Sequence, residues 1–378
     1  MIRKTMGNKL ALFTLLVSTT LVFAGCGQSP SGQNASGASG SSATATSNQT
    51  EAASKPAASE PASSADSKSS EPLVVYLNDF DEIIAPMFEK ETGYKLKVVA
   101  GNGAEIMSRI EAEKGNPHWD VVWMDAMPSI HQLGKNGQLL EGWTPKNAEN
   151  LTDTYQKIVP ANKTYYPTGA HAASVLIYNT KAVSADKAPK SWDDLVKPEF
   201  ANLLGMADPA VAAPAYPFVA WFFEQRGMEG GKAYFDQILK NGTHVYPKNP
   251  NVAKALTGGE IKAAALQESN AYGMKNDKAQ VEIVWPQEGA PASVRVAGIQ
   301  KDTKNVEAAK AFVEFILDPK VQQELIDKGE ESYFEPSAKG VKPKSDRAAE
   351  AKLVVADPEW AAEHEAEIKQ WFADKAVK

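Results

Sequence analysis

The sequence predicts an α/β fold in two lobes. Short runs rich in β-branched residues alternate with segments of helical periodicity: residues 73–77 read as a strand, and the helical pattern through Ile84 and Phe88 follows. Such alternation is typical of sheets flanked by helices. The residues from 73 to 378 are numerous enough to form two hydrophobic cores rather than one.

Three further β-rich runs are predicted strands, at residues 94–99, 120–123 and 175–178. Between the first two, the glycines of residues 101–103 open a predicted helix, whose apolar residues share one face. From this order we expect helices on mostly parallel sheets. In such sheets, ligands bind beyond the carboxyl ends of the strands.

Capping signals in the later part of the chain predict where several helices begin. Residues 191–194 fit a capping box, and Asp318 and Asp357 each precede a proline at the first helical position. A helix is predicted after Asn305, and a second one ends at Gly329. The last helix is expected to bury one stripe of residues, namely Trp360, His364, Ile368 and Trp371.

The first 25 residues read as a secretion signal. Basic residues precede the apolar run 10–17, and small residues lead to Cys26, the single cysteine of the chain. Ala24-Gly25-Cys26 resembles a bacterial lipobox, although Phe23 stands where lipoboxes more often carry Leu. The resemblance implies cleavage before Cys26 and a lipid anchor (diacylglycerol and palmitate) on its thiol. An ordinary signal peptide with an incidental cysteine is the alternative.

The composition indicates a flexible segment near the N-terminus and argues against several kinds of partner and site. Residues 27–71 lack large apolar side chains and are expected to be a disordered tether. The chain carries 40 basic and 47 acidic residues, net −7, which argues against a nucleic-acid partner. Lipidation of Cys26 would leave no thiol for a disulfide or a metal site.

Several segments in a fixed order resemble the bacterial extracellular solute-binding proteins of ABC importers, specifically the type-2 group that includes ferric-iron, aminoethylphosphonate and sugar-phosphate binders. The residues that carry the resemblance are 88–94, 109–117, 120–123, 177–180, 189–195, 198–200, 207–210, 308–317, 319 and 321–322.

The resemblance implies a two-lobed type-2 periplasmic-binding-protein fold with a hinged interlobe cleft. Lobe 1 would comprise residues 73–173 and 285–378, and lobe 2 residues 174–284. Residues 1–25 would be the lipoprotein signal peptide and residues 26–72 the lipidated cysteine and tether. The expected partners of this monomer are a small-molecule solute and an ABC permease with its ATPase, with membrane contact through the lipid anchor only. No cofactor and no metal are expected.

In lobe 1 the candidate ligand residues lie in loops that follow predicted strands. These are Asn78, Asp79, Asn102, Gly103, Trp123 and Asp125. The glycine loop has backbone N–H groups that attract anions, or it is a plain turn. Trp123 would stack on a ligand or pack in the core. His171, at a predicted crossing between lobes, is either a ligand or a structural residue.

In lobe 2 and at the second crossing the candidates are Ala213, Tyr216, Glu268, Tyr272, Trp285 and Glu288. Relatives that bind phosphate or phosphonate often carry hydroxyl residues where this chain has Ala213-Pro214-Ala215, which argues against a phosphate-type ligand. The acids and aromatic residues would form an acidic aromatic cleft suited to a cation or an amine.

Other functions were weighed against solute binding. Ferric-iron binders of this group commonly show two adjacent tyrosines near Tyr272, which is single here, so iron binding is an alternative but not the favoured one. No nucleophile elbow or Walker loop occurs, and Ile368 stands where a zinc-protease helix beginning at His364 needs its second histidine. We therefore expect no enzyme; a secreted enzyme or a lipoprotein scaffold is the alternative of another class.

Overall fold

The computed structural model describes residues 71–329, 331–349 and 351–376. Cys26, the signal segment and nearly all of the tether lie outside these residues. The described strands are β1 Leu73–Leu77, β2 Leu96–Ala100, β3 Val121–Met124, β4 Tyr165–Ala172, β5 Val175–Asn179, β6 Leu204–Ala207, β7 His244–Tyr246, β8 Ala263–Leu266, β9 Val281–Val284, β10 Ala290–Ile299, β11 Glu335–Pro336 and β12 Leu353–Val354.

The described α-helices alternate with these strands, as predicted. They are α1 Ile84–Thr92, α2 Gly103–Ala112, α3 Met127–Lys135, α4 Asp153–Gln156, α5 Ala215–Lys240, α6 Asn249–Gly258, α7 Glu268–Asn276, α8 Val306–Ile316, α9 Pro319–Lys328 and α10 Pro358–Ala376.

Two separate sheets define two lobes. The first has the order β11-β4-β10-β3-β1-β2, with β12 beside β10, and the second has the order β7-β6-β8-β5-β9. β2, β1 and β3 are parallel, and so are β7, β6 and β8. β10 runs antiparallel to β3 and β4, and β5 to β8 and β9. The expectation of mostly parallel sheets is therefore wrong: both sheets are mixed.

The antiparallel strands are the ones that carry the chain between the lobes. β4 of the first sheet leads into β5 of the second after two residues, and β9 leads back into β10 through residues 285–289. Each lobe has its own aromatic core. The first contains Phe88, Trp123 and Phe312, and the second contains Trp192 and Phe222.

Local capping signals predicted several element ends correctly. The carboxylate of Asp318 accepts a hydrogen bond from Lys320 N at 2.7 Å and starts α9. Ser191 and Asp194 form the predicted capping box, which begins a short 3-10 helix rather than an α-helix. Gly93, in the left-handed conformation with φ 72°, ends α1.

The buried stripe of α10 differs from the sequence-based expectation. Ala361, Ile368 and Phe372 are buried in the core of the second lobe, whereas Trp360, His364 and Trp371 are only partly buried. Trp360 and His364 instead stack on each other, with ring centroids 4.3 Å apart. The α10 helix thus contacts both lobes: its buried residues pack in the second core, and Glu359 and Glu363 pair with Lys135 of α3 in the first lobe. The lobe boundaries stay a prediction.

Candidate functional site

A cavity of about 370 Å³ lies between the two lobes. One wall comes from the residues that follow β1 and β2 and from Glu331, and the other from the residues that begin α5, α6 and α7. The polar and small residues that line it are Asn78, Asp79, Gly101, Asn102, Gly103, Glu105, Ala212, Ala213, Lys248, Asn249, Gln267, Asn270 and Glu331.

A larger groove, of about 1000 Å³, lies on the second lobe and is lined mainly by residues 180–200. We place the candidate site in the interlobe cavity for two reasons. The cavity is at the carboxyl ends of parallel strands, where ligands bind in α/β folds. It also lies against buried polar atoms that lack a partner, as described below.

Four helices begin at this cavity. Asn102 caps α2, and its side chain accepts a hydrogen bond from Glu105 N at 3.0 Å. Across the cavity, α5, α6 and α7 begin close to Ala213, Asn249 and Gln267. The first turn of a helix has backbone N–H groups without intrahelical partners and carries a partial positive charge. The second-lobe wall therefore favours an anionic group, and the exposed Lys248 adds a full positive charge.

A buried ion pair forms the floor of the cavity on the first lobe. The guanidinium of Arg295, from β10, donates to the carboxylate of Asp79. Arg295 also lies over the ring of Phe80, 4.7 Å from its centroid. Burial raises the pKa of Asp79 above the usual range of an aspartate, and the positive charge of Arg295 only partly opposes this effect.

Asp125 lies directly behind this floor. Its Oδ1 accepts a hydrogen bond from Asn78 Nδ2 at 2.5 Å, and its Oδ2 lies 3.3 Å from His171 Nε2. Burial by itself would raise the pKa of Asp125, but the neighbouring His171, Arg295 and Asn78 hold it below its usual range. Asp125 is thus an ionised carboxylate with almost no exposure to solvent.

Two buried oxygen atoms in the cavity wall accept no hydrogen bond from the described residues, namely Oδ1 of Asn270 and Oε2 of Glu331. A third, Oδ2 of Asp125, lies behind the wall and faces Nε2 of His171 at 3.3 Å. Buried acceptors without a donor are rare and costly in folded proteins. A solute that brings N–H donors into the cavity would satisfy those that it reaches.

The lobes touch at one edge of the cavity. A Cβ atom placed on Gly103 would lie 2.6 Å from Cβ and 2.8 Å from Cα of Ala213. Ala213 belongs to the loop before α5, yet it packs against the core of the first lobe. The close approach of the two backbones requires glycine at position 103.

Five of the residues singled out in the sequence line the cavity: Asn78, Asp79, Asn102, Gly103 and Ala213. Asp125 and His171 lie one layer behind it, through Asn78 and Gln267 respectively. Their roles as ligand residues stay predictions.

Two aromatic candidates lie in the cores instead of the cavity. Trp123 is 1% exposed, stacks on Phe80 and donates from Nε1 to Thr168 Oγ1 at 2.9 Å. Tyr216 is 2% exposed, and its hydroxyl donates to the carbonyl of Ala361 in α10. Both rings are enclosed by their own lobe, so neither is placed to stack on a solute. Trp123 follows the core-packing alternative, and Tyr216 differs from its expected role as a ligand residue.

The remaining four candidates do not line the cavity and contact other protein groups, although Oε2 of Glu288 and Nε1 of Trp285 make no hydrogen bond with the described residues. Glu268 pairs with Arg347, and the hydroxyl of Tyr272 accepts from Ala348 N at 2.8 Å. Glu288 accepts from Trp192 N at 3.1 Å. The ring of Trp285 lies under the guanidinium of Arg347. An acidic aromatic cleft of the expected membership does not form.

The sequence did not indicate the cavity-lining residues Lys248, Gln267, Asn270 and Glu331, nor Arg295, which pairs with Asp79 behind the wall. One signal was present, since Arg295 is the single charged residue in the run 290–299. An arginine inside a buried strand is rarely left without a carboxylate. Glu331 follows the end of α9 and carries no such signal.

Metal chemistry finds no support in this geometry. No group of three or more histidine, cysteine or acidic side chains is arranged to hold a metal ion within the described part of the chain. The phenol oxygens of Tyr272 and Tyr333 are both hydrogen-bonded to protein groups.

The sequence matches the profile of a known family over residues 126–362, described as bacterial extracellular solute-binding protein. The chain belongs to this family. Its members are binding proteins rather than enzymes, so this protein is a solute-binding component of an ABC importer that acts outside the cytoplasm. Among the described residues, no helix has the length and apolar character needed to cross a membrane.

Relatives of this solute-binding protein differ in the solute for which they are named. A Salmonella typhimurium protein named "Putative 2-aminoethylphosphonate-binding periplasmic protein" is 28% identical over 310 residues, which cover 78% of this chain and 87% of that protein. The "Major ferric iron-binding protein" of Neisseria meningitidis serogroup B is 27% identical over 254 residues, which cover 65% and 74%.

Solved structures confirm the two-lobed fold. The periplasmic binding protein AfuA from Actinobacillus pleuropneumoniae, with exogenous fructose-6-phosphate bound, gives a TM-score of 0.72 at 23% identity and covers 82% of this chain and 99% of that one. Iron-bound HitA from Pseudomonas aeruginosa gives 0.70 at 22% identity, covering 80% and 99%. At this identity the likeness concerns the fold alone.

Proposed function

We propose that this receptor captures a small solute that carries a protonated amine. The observation that carries the proposal is a pair of acceptors without donors in the wall of the interlobe cavity, Oδ1 of Asn270 and Oε2 of Glu331. An ammonium group has three N–H donors and no acceptor, so it matches an acceptor-rich wall.

The charge of the cavity supports the same solute class. Besides the Asp79–Arg295 pair, three carboxylates lie in its wall or directly behind it, those of Asp125, Glu105 and Glu331, against the positive charge of Lys248. The excess of negative charge attracts a cation, and partial burial strengthens the attraction by lowering the effective dielectric constant.

The helix starts of the second-lobe wall support a second, acidic group on the solute. The helix starts at Ala213, Asn249 and Gln267 and the ammonium of Lys248 are suited to an oxyanion. An aminoalkyl phosphonate has both groups, and a relative at 28% identity is named for one. A polyamine has only amines; a Salmonella typhimurium relative at 24% identity is named for spermidine and putrescine.

The capture mechanism follows from the two-lobed geometry. A solute held between the residues after β1 and the start of α7 contacts both lobes, so it favours the form in which the lobes touch at Gly103 and Ala213. We expect the receptor to act as a monomer, because both walls of the cavity come from one chain. The closed receptor would then dock on its permease.

Isothermal titration calorimetry with matched solutes tests the proposal. 2-Aminoethylphosphonate is expected to bind at least about tenfold more tightly than ethylphosphonate, since a hydrogen-bonded charge contributes roughly 1.5–3 kcal/mol. Spermidine tests the polyamine alternative, and fructose 6-phosphate and ferric citrate represent the solutes of other relatives. Tight binding of fructose 6-phosphate or ferric citrate without binding of any amine would contradict the proposal.

We further propose that the mature receptor is anchored through lipid on Cys26, which lies outside the described residues. The proposal is supported by the lipobox-like residues 24–26 and the polar segment behind them. The variant Cys26→Ser is expected to move the protein from the membrane fraction to the soluble fraction while solute affinity stays unchanged. Ser29→Ala serves as the control and is expected to leave fractionation unchanged. A fully membrane-bound Cys26→Ser protein would be evidence against the anchor.

A further inference from the structure

A segment of the first lobe reaches across to the second lobe beside the cavity. We call residues 331–348 the interlobe strap; all of them belong to the described part of the chain. It begins at Glu331 in the cavity wall, pairs with β4 through β11, and ends against α7 of the second lobe.

The strap holds α7 through a buried ion pair. Arg347 donates from Nε to Oε1 of Glu268 at 2.6 Å and from a terminal nitrogen to Oε2 at 3.2 Å. Oε2 also accepts from Ala172 N at 2.8 Å, at the end of β4 where the chain crosses to the second lobe. Glu268 therefore joins α7, the crossing and the strap at one buried point.

An aromatic pair reinforces this contact. The rings of Tyr272 in α7 and Tyr333 in the strap are stacked, with centroids 4.2 Å apart and planes 2° apart. The hydroxyl of Tyr272 accepts from Ala348 N at 2.8 Å, and the hydroxyl of Tyr333 donates to Asp346 at 2.7 Å.

The position of Glu268 connects the ion pair to the solute site. It is the first residue of α7, directly after Gln267 and two residues before Asn270, both of which line the cavity. None of the cavity-lining atoms belongs to Glu268 or Arg347. Any movement of the first turn of α7 would displace Gln267 and Asn270 relative to Glu331.

We infer that Arg347 is a positioning residue for solute capture: its ion pair with Glu268 holds the first turn of α7, and thereby Gln267 and Asn270, in register with the opposite wall. This inference rests on the proposed function, because it presumes that the interlobe cavity is the solute site. Removing one partner of a buried ion pair leaves the other charge uncompensated, so the turn is expected to shift.

The test compares dissociation rates of 2-aminoethylphosphonate, measured by stopped-flow fluorescence on the full chain. Arg347→Gln is expected to speed dissociation about tenfold. Arg347→Lys, which keeps the charge but loses the forked geometry, should recover part of the loss. Phe372→Ala, which removes a buried ring of the second core away from the cavity, lowers the melting temperature and should leave the rate unchanged.

The results of these measurements distinguish a failure of the positioning role from a failure of the proposed function. An Arg347→Gln protein that folds and releases the solute at the wild-type rate would overturn the positioning role alone. If Arg347→Gln does not fold, Arg347→Lys is measured instead and is expected to speed release about threefold, because it keeps the charge but loses the forked geometry; an unchanged rate would again overturn the role. A wild-type protein with no preference for amines would contradict the proposed function and not the strap geometry.

Discussion

Replacement of Glu331 with glutamine is expected to weaken the binding of an amine-bearing solute by about tenfold to a hundredfold. Oε2 of Glu331 is buried at the cavity and accepts no hydrogen bond from the protein, so its charge is available to an ammonium. A hydrogen bond to a charged group contributes roughly 1.5–3 kcal/mol, and the amide keeps an acceptor but loses the charge. Calorimetry with 2-aminoethylphosphonate measures the change.

Glu105→Gln provides the matched control for this substitution. Glu105 also lines the cavity, but its Oε2 accepts from Asn102 N at 2.9 Å as part of the capping box of α2. Because glutamine keeps the acceptor oxygen that caps Asn102 N, we expect this variant to change both stability and affinity only slightly. Equal losses of affinity in the two variants would argue that only the overall charge of the cavity matters.

Replacement of Gly103 with valine is expected to prevent the lobes from closing. The added Cβ would lie 2.6 Å from the Cβ atom of Ala213, and the backbone of Ala213 lies too close to give way. Because the added side chain clashes with the backbone and Cβ of Ala213 in the other lobe, the lobes must separate to relieve the clash. Overpacking of this kind costs roughly 1–3 kcal/mol, which corresponds to a solute affinity about 5 to 150 times weaker.

Small-angle X-ray scattering with saturating solute checks this prediction directly. The Gly103→Val protein is expected to keep a larger radius of gyration than the wild type. Gly115→Val is the control, because a Cβ at that exposed position meets no atom within 4 Å. A Gly103→Val protein that compacts fully on solute addition would show that closure does not bring Gly103 and Ala213 together.

The elements of the fold were largely predictable because their signals are local. Apolar periodicity predicted α2 and β1, and the Asp-Pro signal at Asp318 predicted the start of α9, as the structure confirms. The stripe of α10 was predicted correctly at Ile368 but not at Trp360 and Trp371, because tryptophans look more apolar than the small Ala361 that packs in the core. Size and shape at a contact outweigh hydrophobicity there.

The first-lobe wall of the candidate site was predictable from the sequence, whereas most of the second-lobe wall was not. Asn78, Asp79 and Gly103 lie in loops directly after strands, where the position of a ligand site follows from strand direction alone. On the second lobe, the sequence offered no reason to expect that Glu268 would be less available to a solute than the other candidate acids. Its carboxylate is taken by Arg347, which lies 79 residues away in the sequence, and no local pattern reports that contact.

The sequence by itself determined the order of strands and helices, the two-lobed class and the family, since these depend on periodicity, caps and short segments read along the chain. Only the tertiary structure decided which acids are free to meet a solute. Asp79 pairs with Arg295 and Glu268 with Arg347, whereas Glu331 keeps an oxygen without a donor. The physical reason is that the partner of a buried charge is set by which distant segments approach it in the folded chain, and that approach has no local signature.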